Sequence, residues 1–487
     1  MITFIVCLTM LVVAYFTYGR LLERLMRVDP DNPTPARRLA DGVDYVQLPR
    51  WRIFLIQLLN IAGLGPIFGA VLGAAYGPVA FLWITLGGIF MGAAHDFMAG
   101  VISLRHDGAS LPETAGIYLG NGVRIFMRLF SAGLMILVGA VFLSQPASLI
   151  AARIDVPALG GIAFGNFSWL LLAVIGVILL YYIAATLLPV DKIIGRFYPL
   201  FGCTLLIMAL GILCVLLFDG RYTIPELTSL RNCIADAGRF PIVPMLFTTI
   251  ACGAISGFHA TQSPIMARCI GSEGDSRMIF YGAMITESII ALIWAAIAMS
   301  FWGGVGGLNA AIAEHGGSAA VMIDIIARTT LGRTLATLVI VGVIACAVTS
   351  GDTAFRSARL IVADFMGVEQ RSLRKRIYVS VPLFVLGLLI IFALPFQTMW
   401  SYFAWMNQTL ACVTLWMIAA YLCRRGQRAG AWTAVIPALI MTYVCASYIF
   451  VSPLMFGMAD RTAAYLLGGA VTAAVTAAAY LKLCVKR

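Results

Sequence analysis

The sequence predicts an all-α, polytopic membrane protein with about thirteen transmembrane helices. Three observations predict it. Of the 487 residues, 61% are hydrophobic and only 11% charged, too few charges to cover the surface of a soluble domain of this size. The apolar residues fall in long blocks, for example 170–188 and 377–394, and about 20 such residues cross a hydrocarbon core of about 30 Å. The basic residues, finally, gather on alternate loops. No alternating ten-residue pattern appears, which disfavours a β-barrel.

In chain order the spans lie near 1–19, 53–76, 79–103, 122–149, 167–188, 196–218, 243–267, 278–301, 335–358, 377–396, 399–423, 430–452 and 462–482. The first has no basic segment ahead of it and no A-x-A-like site after it, so it is expected to be a retained span and not a signal peptide. With this division, 26 of the 33 Lys and Arg fall on the loops and flanking span ends of one side. Only Arg153, Arg221, Arg231, Arg239, Arg328, Arg333 and Arg461 fall on the other. The positive-inside rule then places the N-terminus outside and the C-terminus in the cytoplasm of a multi-pass membrane protein. The net charge of +11 is thereby assigned to the lipid bilayer and not to a nucleic acid. The eleven cysteines mostly sit inside apolar runs without CxxC or Cys/His clusters, and read as small core residues.

No soluble domain is expected. The longest stretches between spans are 20–52, 219–242 and 302–334, the last containing a helix-like piece, 318–328, placed as a cap on the outer face.

Two spans are interrupted. The second reads NIAGLGPIFGAVLGAAYG from Asn60 and crowds Gly63, Gly65, Pro66 and Gly69 near its middle. The seventh reads FTTIACGAISGFHATQSP from Phe247, with Gly253, Gly257 and Pro264. In a helix interior Gly costs about 1 kcal/mol and Pro about 3. At membrane depth such clusters are expensive unless the backbone is meant to open, because freed N–H and C=O groups must find partners. Close helix packing through small residues is the alternative, and Gly69 with Gly73 fits it. The two spans are five apart, so five-span units starting at each run in opposite senses, as in inverted-repeat transporters. The expected organisation is an extra span and cytoplasmic loop (1–52), a first five-helix repeat (53–218), a second, inverted repeat (243–423) and two C-terminal spans (430–487).

The candidate substrate site is the pair of breaks: Asn60, Gly63, Gly65 and Pro66 in one, and Ser256, Gly257, His259, Thr261 and Gln262 in the other. N–H groups freed at the half-helix after Gly63 and Gly65 suit an anion, which favours a carboxylate over a sugar. Ionisable groups inside spans are functional candidates by default. Asp352 shares a helix with Thr349, Ser350, Thr353 and Arg356, and Asp352 and Arg356, at i and i+4, can pair. The hydroxyls of Thr349 and Ser350, with carbonyls from an unwound helix, are the donors a hard cation takes; equally they can bond back to their own helix. His259 can carry a proton, hold a carboxylate or be satisfied by freed carbonyls. His95 and Asp96 read as a proton relay or the cap of a vestibule. Glu287 reads as a lone buried carboxylate able to accept a coupling proton. Asn407 and Gln408 are polar at mid-membrane and are expected to bond another helix. Four histidines without ligand spacing give no zinc or haem site. No cofactor is expected, and no metal beyond a sodium ion. The coupling ion is Na+ or H+.

The segments NIAGLGPIFG (60–69), GAAHDFMAGVISLRHDGASLPE (92–113), ACGAISGFHA (251–260), TSGDTAFRSAR (349–359) and the Asn407-Gln408 pair resemble the carbon starvation CstA family. The resemblance implies an inner-membrane importer of nutrients, linked in the family to peptides and pyruvate. It also implies the amino acid–polyamine–organocation superfamily, with a leucine-transporter-like fold of five-plus-five inverted repeats and discontinuous helices. By the same resemblance a coupling cation would lie between the Leu59 and Ala62 carbonyls and Thr349 with Ser350, and a basic side chain, Lys192 or Arg196, would stand near it in proton-coupled relatives. The chain is thus expected to be no enzyme but a secondary active transporter. It would import a peptide, pyruvate or an amino acid by ion-coupled alternating access during carbon starvation. The alternative is a starvation-responsive membrane sensor acting through partners. The sequence leaves the oligomeric state open.

Overall fold

A computed structural model describes the chain apart from residues 43, 155, 157, 158, 160, 165, 166, 188, 189, 371 and 485–487; the side chains at 187, 190–199, 333–335, 338, 483 and 484 also lie outside the described set. Its principal helices are α1 (Ile2–Met26), α2 (Arg50–Ile61), α3 (Gly65–Tyr76), α4 (Val79–Arg105), α5 (Asn121–Ala151), α6 (Trp169–Leu187) and α7 (Val190–Phe218). They continue with α8 (242–249), α9 (Gly257–Ala267), α10 (Glu273–Phe301), α11 (Ala319–Met366), α12 (Leu373–Ala393), α13 (Phe396–Arg424), α14 (Arg428–Val451) and α15 (Arg461–Cys484).

Among the described residues, eleven helices are long and apolar enough to cross a membrane. Helices α2 and α3 form a twelfth passage, bent by 54° at residues 62–64. The expected seventh span, 243–267, corresponds to the pair α8 and α9, interrupted over 250–256. This pair is not among the described helices or bent pairs long and apolar enough to cross a membrane, so the expected thirteen passages number up to twelve. At 1.5 Å per residue neither half reaches across the hydrocarbon alone. The all-α expectation holds, with one small addition among the described residues: an antiparallel strand pair, Ile162–Phe164 with Phe167–Ser168. The expected outer cap is the first part of α11, whose N-terminus is capped by Ser318 Oγ accepting from the Val321 N–H. Gly332, with φ of 69°, then turns the chain into the span Val339–Met366.

The two broken passages cross where they open. A Cβ on Gly65 would fall inside the Cys252 side chain, and the backbone of Pro66 lies against Gly253. Gly253 has φ of +90°, a left-handed conformation that L side chains rarely adopt. Long α5 packs along α11 and α13, and α10 passes behind the crossing against α2 and α3. The polar groups at the crossing lie inside a shell of helices whose outer faces expose apolar residues such as Leu180, Leu210 and Leu389.

Gly65→Ala should overpack the crossing and lower stability by about 1–3 kcal/mol. Thermal unfolding in detergent checks this, with Gly306→Ala, whose added methyl meets nothing within 4 Å, as the neutral control.

Candidate binding site at the crossed breaks

Helix α9 restarts the chain inside the protein, and its first N–H groups need acceptors. Asn407 of α13 supplies one. Its Oδ1 accepts from the Phe258 N–H at 2.6 Å and from Ser256 Oγ at 3.0 Å, while its Nδ2 donates to Cys252 Sγ at 3.6 Å. Gln408 Nε2 donates to the Phe247 carbonyl of α8 at 3.1 Å. The Asn407-Gln408 pair thus ties both halves of the broken passage to α13, as the sequence leads one to expect of two mid-membrane amides.

Four ionisable groups from three helices meet beside this restart, all without solvent exposure. His95 Nδ1 and Asp96 Oδ1, neighbours on α4, are 2.8 Å apart. Asp96 Oδ2 is 2.8 Å from His259 Nδ1 on α9. On its other side, His259 Nε2 lies 3.4 Å from Glu287 Oε2 of α10, without making a hydrogen bond. Glu287 is therefore not the lone carboxylate that its sequence neighbourhood implies. With Asp96 ionised, each Nδ1 donates to it, and Nε2 of both rings faces the interior. Those two Nε2 atoms, both Glu287 oxygens and the amide oxygen and nitrogen of Asn60 are buried without a hydrogen-bond partner. A buried polar atom left this way costs about 1–3 kcal/mol, so this is where a polar solute gains most by binding. Cys252 Sγ, a ring nitrogen of His259 and a Glu287 oxygen lie within 4.8 Å of one another, one ligand short of a closed tetrahedral metal site.

The expected cation site is only partly assembled. Ser350 Oγ reaches the carbonyls of Leu59 and Asn60, at 3.1 and 3.3 Å. Thr349 Oγ1 instead bonds back to Ala345 and Cys346 of its own helix. The Ala62 carbonyl accepts from the Cys346 thiol at 3.2 Å. A soft sulfur beside that carbonyl is a poor neighbour for a hard cation, which collects oxygens. Asp352 and Arg356 are both buried on α11, one turn apart, and the Arg356 guanidinium donates to the Ala185 carbonyl. Lys192 and Arg196 lie on α7, but their side chains fall outside the described residues.

Of the remaining expected residues, Gly63 lies against the Phe142 ring and Gly257 against the α13 backbone at Asn407 and Ala411. Thr261 Oγ1 donates to its own helix at Phe258, and Gln262 Nε2 reaches Thr261 and, at 3.3 Å, Ser357. Both face α5 and α11 rather than the crossing. Sequence reasoning missed Cys252, read only as a small core residue, and a layer of rings beside the site. Phe142 packs edge-on to Phe258 and Phe403, Phe403 to Trp400, and Trp400 lies beside Phe68. Aromatics in apolar spans carry no signal that marks them out.

A family model described as "Carbon starvation protein CstA" matches residues 1–170, 150–331 and 315–447. An uncharacterized membrane protein of Haemophilus influenzae is 44% identical over 62% of this chain and 91% of its own length. The peptide transporter CstA of Bacillus subtilis is 26% identical, over 59% of this chain and 56% of its own. The pyruvate/proton symporter BtsT of Escherichia coli is 28% identical, over 58% and 46%. The chain thus spans about half the length of the named transporters it matches. Among solved structures, MhsT in complex with L-phenylalanine superposes with a TM-score of 0.55 at 15% identity, covering 89% of this chain and 99% of that one. The Eremococcus coleocola manganese transporter gives 0.52 at 12% identity, covering 91% and 98%. These two likenesses show the fold, that of leucine-transporter-like transporters with discontinuous helices.

Asn407→Leu, which removes the acceptor shared by Ser256 and Phe258, should destabilise the protein by about 1–3 kcal/mol. Asn407→Asp, which keeps an acceptor, should cost less. Thermal unfolding in detergent of the two variants side by side reads the difference.

Proposed function

Because the chain belongs to the carbon starvation protein CstA family, we propose that it is a proton-coupled secondary transporter. It imports a small carboxylate of the pyruvate or peptide class by alternating access around the crossed breaks. The observation that carries this is the set of unpartnered buried polar atoms on Asn60, His95, His259 and Glu287 beside two opened helices. A carboxylate gains there from the N–H groups of a half-helix start and from the amide of Asn60.

The coupling follows from charge. With Asp96 and Glu287 ionised and one imidazolium between them, the cluster carries a single net negative charge. One further proton neutralises it. A neutral cluster is far cheaper to carry through a rearrangement in low dielectric than a charged one, so the proton promotes the transition and its release resets the site. His259 stands on α9, one of the segments that must move, while Asp96 and Glu287 stand on α4 and α10 beside it. The incomplete oxygen set at Ser350 and the thiol of Cys346 favour the proton over sodium. The charge asymmetry supports an N-terminus outside and a C-terminus in the cytoplasm of the inner membrane.

In proteoliposomes, an inward proton gradient should drive accumulation of labelled pyruvate or dialanine, and a sodium gradient alone should not. Glu287→Gln should reduce gradient-driven accumulation by 10-fold or more while counterflow exchange persists; each decade corresponds to about 1.4 kcal/mol. Sodium-driven uptake that is lost in Ser350→Ala, or no uptake under either gradient, rules the proposal out. Reporter fusions at the C-terminus should register cytoplasmic, and a periplasmic signal overturns the orientation.

A further inference from the structure

A cavity of about 480 Å³ opens between the end of α5, the start of α11 and the start of α13. Its polar lining is Gln145, Ser148, Arg153, Ser318, Asp324 and Gln397. The volume lies within the range of small-molecule sites, about 300–1,000 Å³. On the orientation above, this is the outer face. Among its lining residues Arg153 and Asp324 are the charged ones, and Arg328 stands beside them outside the lining. Arg153 and Arg328 share the single carboxylate of Asp324: Arg153 Nη2 contacts its Oδ1, and Arg328 Nε lies 3.0 Å from Oδ2. Partial burial, and then the charge of Arg328, lower the Arg153 pKa from its ordinary value, yet the guanidinium stays protonated. A second carboxylate would offset the repulsion from Arg328.

The cavity also leads somewhere. Phe396 lines it and packs beside Trp400, which continues through Phe403 to Phe142 and Phe258. Gln145 stands one turn beyond Phe142 on α5. A continuous run of aromatic rings thus links this cavity to the Phe142–Phe258 contact beside the polar interior.

We propose that the cavity is a capture site for small carboxylate anions, in which Arg153 exchanges the Asp324 carboxylate for that of the solute while Arg328 retains Asp324. The inference rests on the carboxylate class assigned to the inner site and adds a second, outer position for the same solute. Arg153 presents a planar fork that takes a carboxylate by two parallel hydrogen bonds, and Asp324 occupies it intramolecularly in the meantime. Asp324 therefore acts as a competitor, and removing it strengthens binding.

That sign is the test. In proteoliposome uptake of labelled pyruvate, Arg153→Gln should raise KM about 10-fold with kcat unchanged, the worth of one charge-assisted contact. Asp324→Asn should lower KM several-fold. An ion pair that only braces the fold would be damaged alike by both, so changes of the same sign, or none, overturn the proposal. Equilibrium binding of pyruvate to the purified full chain in a Glu287→Gln background separates this inference from the transport reading. Accumulation is expected to fail there, while binding keeps its opposite responses to the two outer substitutions. If wild-type uptake is intact but those responses are missing, the capture site falls and the inner site stands. If pyruvate neither binds nor is taken up, both fall.

Discussion

Inside a bilayer every backbone N–H and C=O needs a partner, so two helices that open at mid-membrane have to be closed by something other than their own turns. Here they are closed by each other and by α13. The chain at Gly65 and Pro66 lies directly on Cys252 and Gly253, and Asn407 accepts from the restarted helix. The positions of the polar side chains at the two breaks follow from that crossing. Ser350 reaches Leu59 and Asn60 because the first break leaves their carbonyls open. His259 reaches Asp96 and Glu287 because the second break sets the first turn of α9 between α4 and α10.

The crossing also explains why charge is tolerated at this depth. A solitary buried carboxylate is costly in hydrocarbon, but Asp96 is held by two imidazoles, and His259 stands between it and Glu287. Such a cluster is stable in one protonation state and poised for another. Its neighbours differ in kind: an unpartnered amide on Asn60, the rings of Phe142 and Phe258, and, beyond the rings, a cavity lined by the Arg153–Asp324 ion pair. A solute moving from the outer face to the centre passes from a charged site, through an apolar layer, to a polar site where protonation and binding share the same atoms.

Much of the scaffold was legible in the sequence because its signals are local. Blocks of apolar residues and the sidedness of Lys and Arg give the spans, and the clusters GLGP and CGAISG break helices wherever they occur. The site was legible only in part. Asn60, Ser256, His259, Ser350 and Glu287 stand beside the breaks because they sit in or near them, or on the spans expected to face them. The partnership of Asp96 with His259, however, joins residues far apart in sequence, and no periodicity announces it. For the same reason Glu287 read as isolated. Thr349 and Thr261 carry the same hydroxyl whether they face a ligand or their own helix, and both chose the helix. Cys252 and the ring layer are apolar residues in apolar spans, where composition cannot separate lining from filling.

The central claim is that the cluster of His95, Asp96, His259 and Glu287 takes up a proton with the solute. The most direct measurement is the pH change outside proteoliposomes on adding pyruvate in the absence of any imposed gradient. Alkalinisation of the medium by about one proton per pyruvate taken up, abolished by Glu287→Gln, is the predicted result, since one proton brings the cluster to neutrality. Pyruvate entry without proton movement, or with proton movement that Glu287→Gln leaves intact, would contradict it.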